Sequence, residues 1–313
     1  MSPRALLVRE PGLLTTVQDL GRPGWGSLGI PPAGALDPEA LRVANLLAGN
    51  DEEAAGLEAT IVGPVLSAIG DVDLAVAGGA FGPFPGRVVR LRDGDTVPFL
   101  AAETGRGAAR AAVAVAGGID VPEVLGSRST CVSAHFGGLH GRPLRKGDLL
   151  PVGRSRRAPR LDAAALEMPS ENEITLRVLP GPQAHLFGDE AVRIFYGEPF
   201  RLGPDSNRIG FRLEGSAVPG DLTAIEALPS EGTALGSVQI TGEGQPIILM
   251  SERPTTGGYP KIATVIAADL GLAVRARPGA SVRFARATLD EARRLWYEQE
   301  ERIGRFAASL RSP

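Results

Sequence analysis

Two segments of this 313-residue chain gather the residue types that chemistry on a small polar molecule requires. The first is Glu252-Arg253-Pro254-Thr255-Thr256-Gly257-Gly258-Tyr259-Pro260-Lys261, directly after the apolar run Ile247-Ile248-Leu249-Met250. A buried strand there would deliver a carboxylate, a guanidinium, two hydroxyls and an ammonium to its end, and bare glycines would let a ligand reach the peptide amides. The second is Thr16-Val17-Gln18-Asp19-Leu20-Gly21-Arg22, an amide, a carboxylate and a guanidinium between an apolar strand and a Gly-rich loop. Such groups can orient a substrate, donate to an oxyanion or move a proton. An exposed turn with solvated charges has the same composition, so both readings stay open at this level.

Other chemistry is excluded or weakened by counting. Of 33 basic residues only Lys146 and Lys261 are lysine, and neither follows the GxxxxG of a phosphate-binding P-loop. Neither stands in the Met-Lys-Met setting that receives biotin, so ATP or biotin, if used, is expected to come with another polypeptide. With 36 acidic residues the formal charge is 33 − 36 = −3, and arginine is spread along the chain, which argues against a nucleic-acid surface. Gly24-Trp25-Gly26-Ser27-Leu28-Gly29 matches GxGxxG, yet Ile30-Pro31-Pro32 follows where a dinucleotide site needs a helix, so we read a chance match. His135 and His140 lie near Cys131 without the further ligands a zinc site needs; we expect loop histidines, a small buried cysteine and no metal. No serine has glycine at both −2 and +2, so the nucleophile elbow is absent. A single cysteine, no signal-peptide core and no apolar stretch of about 18 residues lead to the expectation of a cytoplasmic protein.

The elements that must position these residues are mostly strands. With 41 Gly and 26 Pro, turns are frequent. Leu74-Ala75-Val76-Ala77 and Val113-Ala114-Val115-Ala116 each close on Gly-Gly and read as buried strands. A turn recurs at Leu91–Val97, Leu144–Leu150 and Ala276–Val282, each with a glycine at its tip; this fits related barrel units and equally the ordinary reuse of a turn. Helices are expected from Pro38, capped by Asp37 and stopped at Gly49-Asn50; from Pro260 to Leu270; and from the capping box Thr288-Leu289-Asp290-Glu291 onward through Ile303 and Phe306. Residues 1–153 then form an N-terminal domain, 154–173 a linker and 174–313 a C-terminal domain.

Several motifs together resemble the biotin-dependent carboxyltransferase-like family, also called the allophanate hydrolase subunit 2 family. They are Thr15–Arg22, Pro32–Asp37, Ala44–Asn50, Leu57–Thr60, Gly117–Pro122, Leu125–Thr130, Gly181-Pro182-Gln183, Gly244–Ile247 and Thr255–Lys261, in family order over most of the chain. The resemblance implies a mainly β fold of cyclophilin-like barrel units with a few short helices and a C-terminal helix. It implies the C component of an enzyme that opens the lactam of 5-oxoproline to glutamate with ATP, alongside a KipI-like B component and a third, A-like protein. A KipA-like regulator of a KipI-type kinase inhibitor, or a carboxyltransferase component acting on urea or another small amide, are the alternatives within the family. By the same resemblance Lys261, Glu252, Asp19 and Arg22 are the catalytic candidates. Gln18, Gly34, Asp37, Asn45, Arg128, Thr130, Thr255, Thr256, Gly257, Gly258 and Tyr259 are candidates for substrate binding. Ala33 and Pro254 stand where the family usually has Ser and Gln, which removes two hydrogen-bonding groups and points to an altered substrate.

Overall fold

A computed structural model of the chain describes residues 4–79, 86–99, 108–155, 159, 166–168, 171–220 and 228–310. The chain divides into two compact units, Met1–Arg22 with Ala33–Ser170 and Glu301–Pro313, and Pro23–Pro32 with Glu171–Glu300. The division is thus not a single cut in the sequence, and most of the expected linker 154–173 lies outside the described residues.

The first unit packs two antiparallel sheets face to face. Strands β1 (Ala5–Glu10), β4 (Val65–Ile69), β7 (Thr96–Pro98) and β9 (Leu149–Pro151) run in the order β7-β4-β1-β9. Strands β2 (Leu14–Gln18), β3 (Gly56–Thr60), β5 (Val72–Ala77), β6 (Val88–Leu91) and β8 (Arg110–Val115) run in the order β2-β3-β8-β5-β6. Residue size alternates along β5 and β8, and that alternation decides what each face can hold. Val72, Leu74, Val76, Val113 and Val115 fill the core between the sheets with Leu6, Val8, Leu57 and Leu66. Ala75, Ala77, Ala112 and Ala114 face the other way, where their small side chains let helix α1 (Pro38–Leu47) pack Leu41, Ala44 and Leu47 onto the sheet. Each Val or Leu so buried contributes about 1.5–3 kcal/mol. Helix α1 begins as expected: Asp37 Oδ1 accepts the Ala40 N–H at 3.1 Å, Pro38 opens the first turn, and Gly49 leaves it in the left-handed region at φ 75°.

The second unit is a closed barrel. Its strands are β10 (Glu173–Pro180), β11 (Phe200–Leu202), β12 (Gly210–Glu214), β14 (Ser237–Ile240), β15 (Pro246–Leu249), β17 (Lys261–Val265) and β18 (Ser281–Arg286), in the order β10-β17-β14-β15-β12-β11-β18. A parallel pairing of β10 with β18 closes the circle, so no edge is left open. Phe195, from helix α2 (Asp189–Gly197), stacks on Phe284 at 4.4 Å between centroids. Outside the barrel, β13 (Glu231–Gly232) pairs with β16 (Thr256–Gly257) in a two-residue ladder. Helices α3 (Ala267–Arg275) and α4 (Leu289–Ser309) complete the described elements; the Thr288 hydroxyl caps α4 by accepting the Glu291 N–H, and Ile303 and Phe306 join the α1 core of the first unit.

The chain is therefore mainly β, with the barrel closed in the second unit and two stacked sheets in the first. One expected helix is corrected. Lys261–Val265 is a strand paired on both sides, to β10 and β14, and the helix starts only at Ala267. The i, i+3, i+4 spacing of Ile262, Val265 and Ile266 is helical, but the segment is buried on both faces, and β-branched residues between two partner strands decide for β. Helix α2 was not expected.

The recurrent turn is one structure used three times. Gly94, Gly147 and Gly279 have φ of 86°, 89° and 88°. Their N–H groups donate to Ala68, Val8 and Leu202, and those same residues donate back to the carbonyls of Asp95, Asp148 and Ala280, all at 2.7–3.0 Å. Each turn thus clips a neighbouring strand.

Candidate functional site

In the second unit the structure builds a site around Lys261. Its ammonium lies 2.7 Å from Glu231 Oε1, and its side chain is 4% exposed against 45% for Glu231. Gln183 fastens the pair: its Oε1 accepts the Lys261 N–H at 3.1 Å, and its Nε2 donates to the same Glu231 Oε1 at 2.5 Å. The two hydrogen bonds and the nearby positive charge hold the Glu231 carboxyl below its ordinary range. Gly181 makes the arrangement possible, because a Cβ there would stand 2.1 Å from the Lys261 carbonyl oxygen.

The rest of the Glu252–Lys261 segment divides by exposure. Glu252 is buried and accepts from Arg208 Nε at 2.6 Å, with both side chains 5% exposed or less. Arg253 is half-buried and reaches the Thr233 and Met250 carbonyls, and burial lowers the pKa of its guanidinium. Thr256, Gly258 and Tyr259 are exposed, while Thr255 and Gly257 are partly covered. The Thr255 carbonyl accepts the Thr233 N–H, Gly257 pairs with Glu231 across the ladder, and the Tyr259 carbonyl accepts from Gln239 Nε2 at 3.3 Å. Pro254 is exposed, and its carbonyl accepts from the Thr233 hydroxyl.

In the first unit Asp19 is the hub of a loop cluster. Its Oδ1 accepts from the Gly21 N–H at 2.8 Å and from the hydroxyls of Ser127 and Ser129 at 2.6 and 2.5 Å; Oδ2 accepts the Arg128 N–H at 2.5 Å. Arg22 is buried, donates to the carbonyls of Val124 and Ser129, and lies over the Phe136 ring. Arg128 turns outward, bonded to the Val121 carbonyl and paired with Asp120 and Glu123. Gln18 and Thr130 are fully buried; Gln18 Nε2 donates to the Thr130 carbonyl, and the Thr130 hydroxyl to that of Val17. Asp19 and Arg128 line an open cleft of about 820 Å3 with Asp51, Glu53, Asp120, Glu123 and Arg154.

Three further candidates lie in the same unit. Asp37 caps α1. Asn45 donates to the carbonyls of Glu52 and Ala54 and accepts from Asn50. Gly34, at φ 88°, lies so near Gly21 that a Cβ would stand 2.9 Å from its nitrogen, and Ala33 precedes it at φ 53°. Cys131 is buried, and His135 and His140 both have positive φ in their loop; among the described residues no group of three His, Cys, Asp or Glu is placed to hold a metal. Gly26–Leu28 of the GxGxxG segment is a single 3-10 turn, so no α-helix N-terminus faces a phosphate there. Lys146 is exposed on its hairpin turn. No helix among the described residues is long and apolar enough to cross a membrane.

Sequence reasoning missed Glu231 and missed what Gln183 does. Gly181-Pro182-Gln183 was visible as a motif, but its contact with Lys261 spans 78 residues and Glu231 carries no local signal.

A family model for the carboxyltransferase domain, subdomains A and B, matches residues 28–286. The chain belongs to this family. Within the carboxyltransferase-domain family it is 38% identical to the C component of 5-oxoprolinase from Escherichia coli, over 97% of this chain and 98% of that one. It is 33% identical to the C component of 5-oxoprolinase from Haemophilus influenzae, over 91% and 92%. The crystal structure of Kluyveromyces lactis urea carboxylase superposes with a TM-score of 0.89 at 28% identity, over 98% of this chain and 29% of that one. The chain thus spans nearly all of both bacterial proteins and under a third of the urea enzyme. Both bacterial relatives are named as one subunit of an enzyme, a 5-oxoprolinase.

Proposed function

We propose that the chain is the C component of a 5-oxoprolinase-type complex that opens the lactam of 5-oxoproline to glutamate at the expense of ATP. The observation that carries this reading is end-to-end likeness at 38% identity to a protein named for that role, with almost no unmatched length on either side. A lactam carbonyl is a poor electrophile because the ring nitrogen shares its lone pair with it. The reaction therefore needs a fixed substrate and a donor or cation where negative charge sits or grows. In the second unit Lys261 is the cation suited to that, held by Gln183 and reached past the half-exposed Glu231. Asp19, Arg22 and Glu252 have their charged groups bound within the protein and set the geometry of its loops. A KipI-like partner and a third, A-like protein complete the enzyme in this reading, and ATP enters with them.

Biotin, which the family's wider name implies, does not fit the lysines: Lys261 Nζ is buried against Glu231, and Lys146 sits between Arg145 and Gly147. A carboxyltransferase component acting on urea is the second reading, favoured by the match to urea carboxylase over 98% of this chain. Purification of the chain with the proteins of its neighbouring genes, followed by measurement of glutamate released from 5-oxoproline with ATP, separates the two. ATP-dependent glutamate release supports the oxoprolinase; its absence beside a working control, with carboxylation of urea in the presence of a biotin carrier, supports the other.

A further inference from the structure

We propose that the Lys261 ammonium and the Gln183 amide form a receptor for one carboxylate, that Glu231 fills it in the resting chain, and that the carboxylate of an anionic substrate takes Glu231's place. The choice of 5-oxoproline as that substrate rests on the proposed function; the receptor itself rests on geometry.

Two donors converge on a single oxygen. Lys261 Nζ and Gln183 Nε2 lie 2.7 and 2.5 Å from Glu231 Oε1. The direction of the Gln183 amide is decided by its other end, since its Oε1 accepts the Lys261 N–H and Nε2 must then face the carboxylate. An ammonium and an oriented N–H on one oxygen would serve any carboxylate that reached them.

The two halves of the pair are anchored very differently. Lys261 begins β17, which is hydrogen-bonded to strands on both sides within the closed barrel. Glu231 rides on the two-residue ladder outside the barrel, opposite Gly257. The cation is 4% exposed and the anion 45%, so the carboxylate is the member of the pair that meets solvent. A short ladder flanked by glycines opens at lower cost than a barrel strand. Moving Glu231 aside therefore uncovers a charged group already held in place. A receptor of this kind selects for charge: 5-oxoproline carries a carboxylate, while urea and an unsubstituted lactam do not.

The chain's two lysines make the test direct, because exposed Lys146 is an internal reference for Lys261. Trace acetylation of the full chain, read at both lysines by peptide mass spectrometry, is compared between wild type and Glu231→Ala, each with acetate, 5-oxoproline or 2-pyrrolidinone. In Glu231→Ala we expect Lys261 to react roughly tenfold faster relative to Lys146. Acetate and 5-oxoproline should restore protection, and neutral 2-pyrrolidinone should not. Lys261 as protected in the variant as in wild type, or equal protection by the neutral lactam, overturns the proposal. Should Glu231→Ala fail to fold, Glu231→Gln decides by calorimetry: the Kd for 5-oxoproline is expected to fall about tenfold, and an unchanged or weaker Kd overturns it. None of these readouts needs turnover. A complex that releases no glutamate therefore removes the proposed function and leaves the receptor standing, while failed protection removes the receptor and leaves the proposed function.

Discussion

One added methyl group at Gly181 is expected to disable the site without touching any of its functional atoms. The Cβ of Gly181→Ala would lie 2.1 Å from the Lys261 carbonyl oxygen, about 1 Å inside the 3.0 Å that such contacts require. Something must move by that amount. Strand β17 is paired to β10 and β14, so part of the shift falls on the Gly181-Pro182-Gln183 turn. That turn is tied to the strand by Gly181 N–H to Ile262 at 2.9 Å and Gln183 N–H to Lys261 at 3.3 Å, and both bonds would be strained. Overpacking of this kind costs about 1–3 kcal/mol, a fall of several degrees in thermal midpoint for a unit of this size. The larger effect is on geometry, because displacing Lys261 and Gln183 by about 1 Å costs roughly a hundredfold in rate. The assay is glutamate release by the assembled complex beside thermal unfolding of the chain. Gly197→Ala is the control, since a Cβ there meets nothing within 4 Å and the residue ends a helix. Activity and midpoint of Gly181→Ala indistinguishable from this control would refute the reasoning.

Asp19→Ala leaves the Gly21 and Arg128 N–H groups without their acceptor, while Ser127 and Ser129 can turn elsewhere; because these groups border an open cleft that water enters, the loss in urea unfolding should be about 1–3 kcal/mol in total. Ala114→Leu inserts bulk beneath α1 and should lower stability by about 1–3 kcal/mol, whereas the same change at an exposed site should not. Arg208→Met removes one side of a buried ion pair and should cost about 3–5 kcal/mol, because Glu252 keeps a buried charge. Glu231 has its pKa lowered in the folded chain, so its contribution is complete above the ordinary glutamate range and is lost as pH falls through the lowered value. The difference in thermal midpoint between wild type and Glu231→Gln should accordingly shrink from pH 7 to about pH 3, and a constant difference would count against the pairing.

The parts of the fold legible in the sequence are those fixed by neighbours along the chain. The Val/Ala alternation of β5 and β8, the Asp37-Pro38 helix start and the three glycine turns each depend on a few consecutive residues, and local sterics decide them. Lys261–Val265 reads as helical by its i, i+3, i+4 spacing, and only the strand on each side, which buries both of its faces, makes it β. Closure of the barrel depends on β10 meeting β18 across more than a hundred residues, which no local pattern records.

The same distinction explains the candidate site. Lys261 is conspicuous because a chain with 33 basic residues uses lysine only twice, and this one closes the Thr-Thr-Gly-Gly-Tyr-Pro segment. Residue type alone shows the other charged candidates without their partners. Asp19 accepts from four donors, Arg22 donates to carbonyls and Glu252 pairs with Arg208, contacts that no local pattern records. What distinguishes Lys261 is the mismatch in its surroundings: a buried cation whose counter-charge is half in water and stands on a two-residue ladder outside the barrel. Residue type identified the ammonium, but only the folded chain shows that Glu231 is its partner. That pairing is why substitution at Glu231, outside every motif that first drew attention, should change the reactivity of Lys261 more than substitution at Pro254 within them.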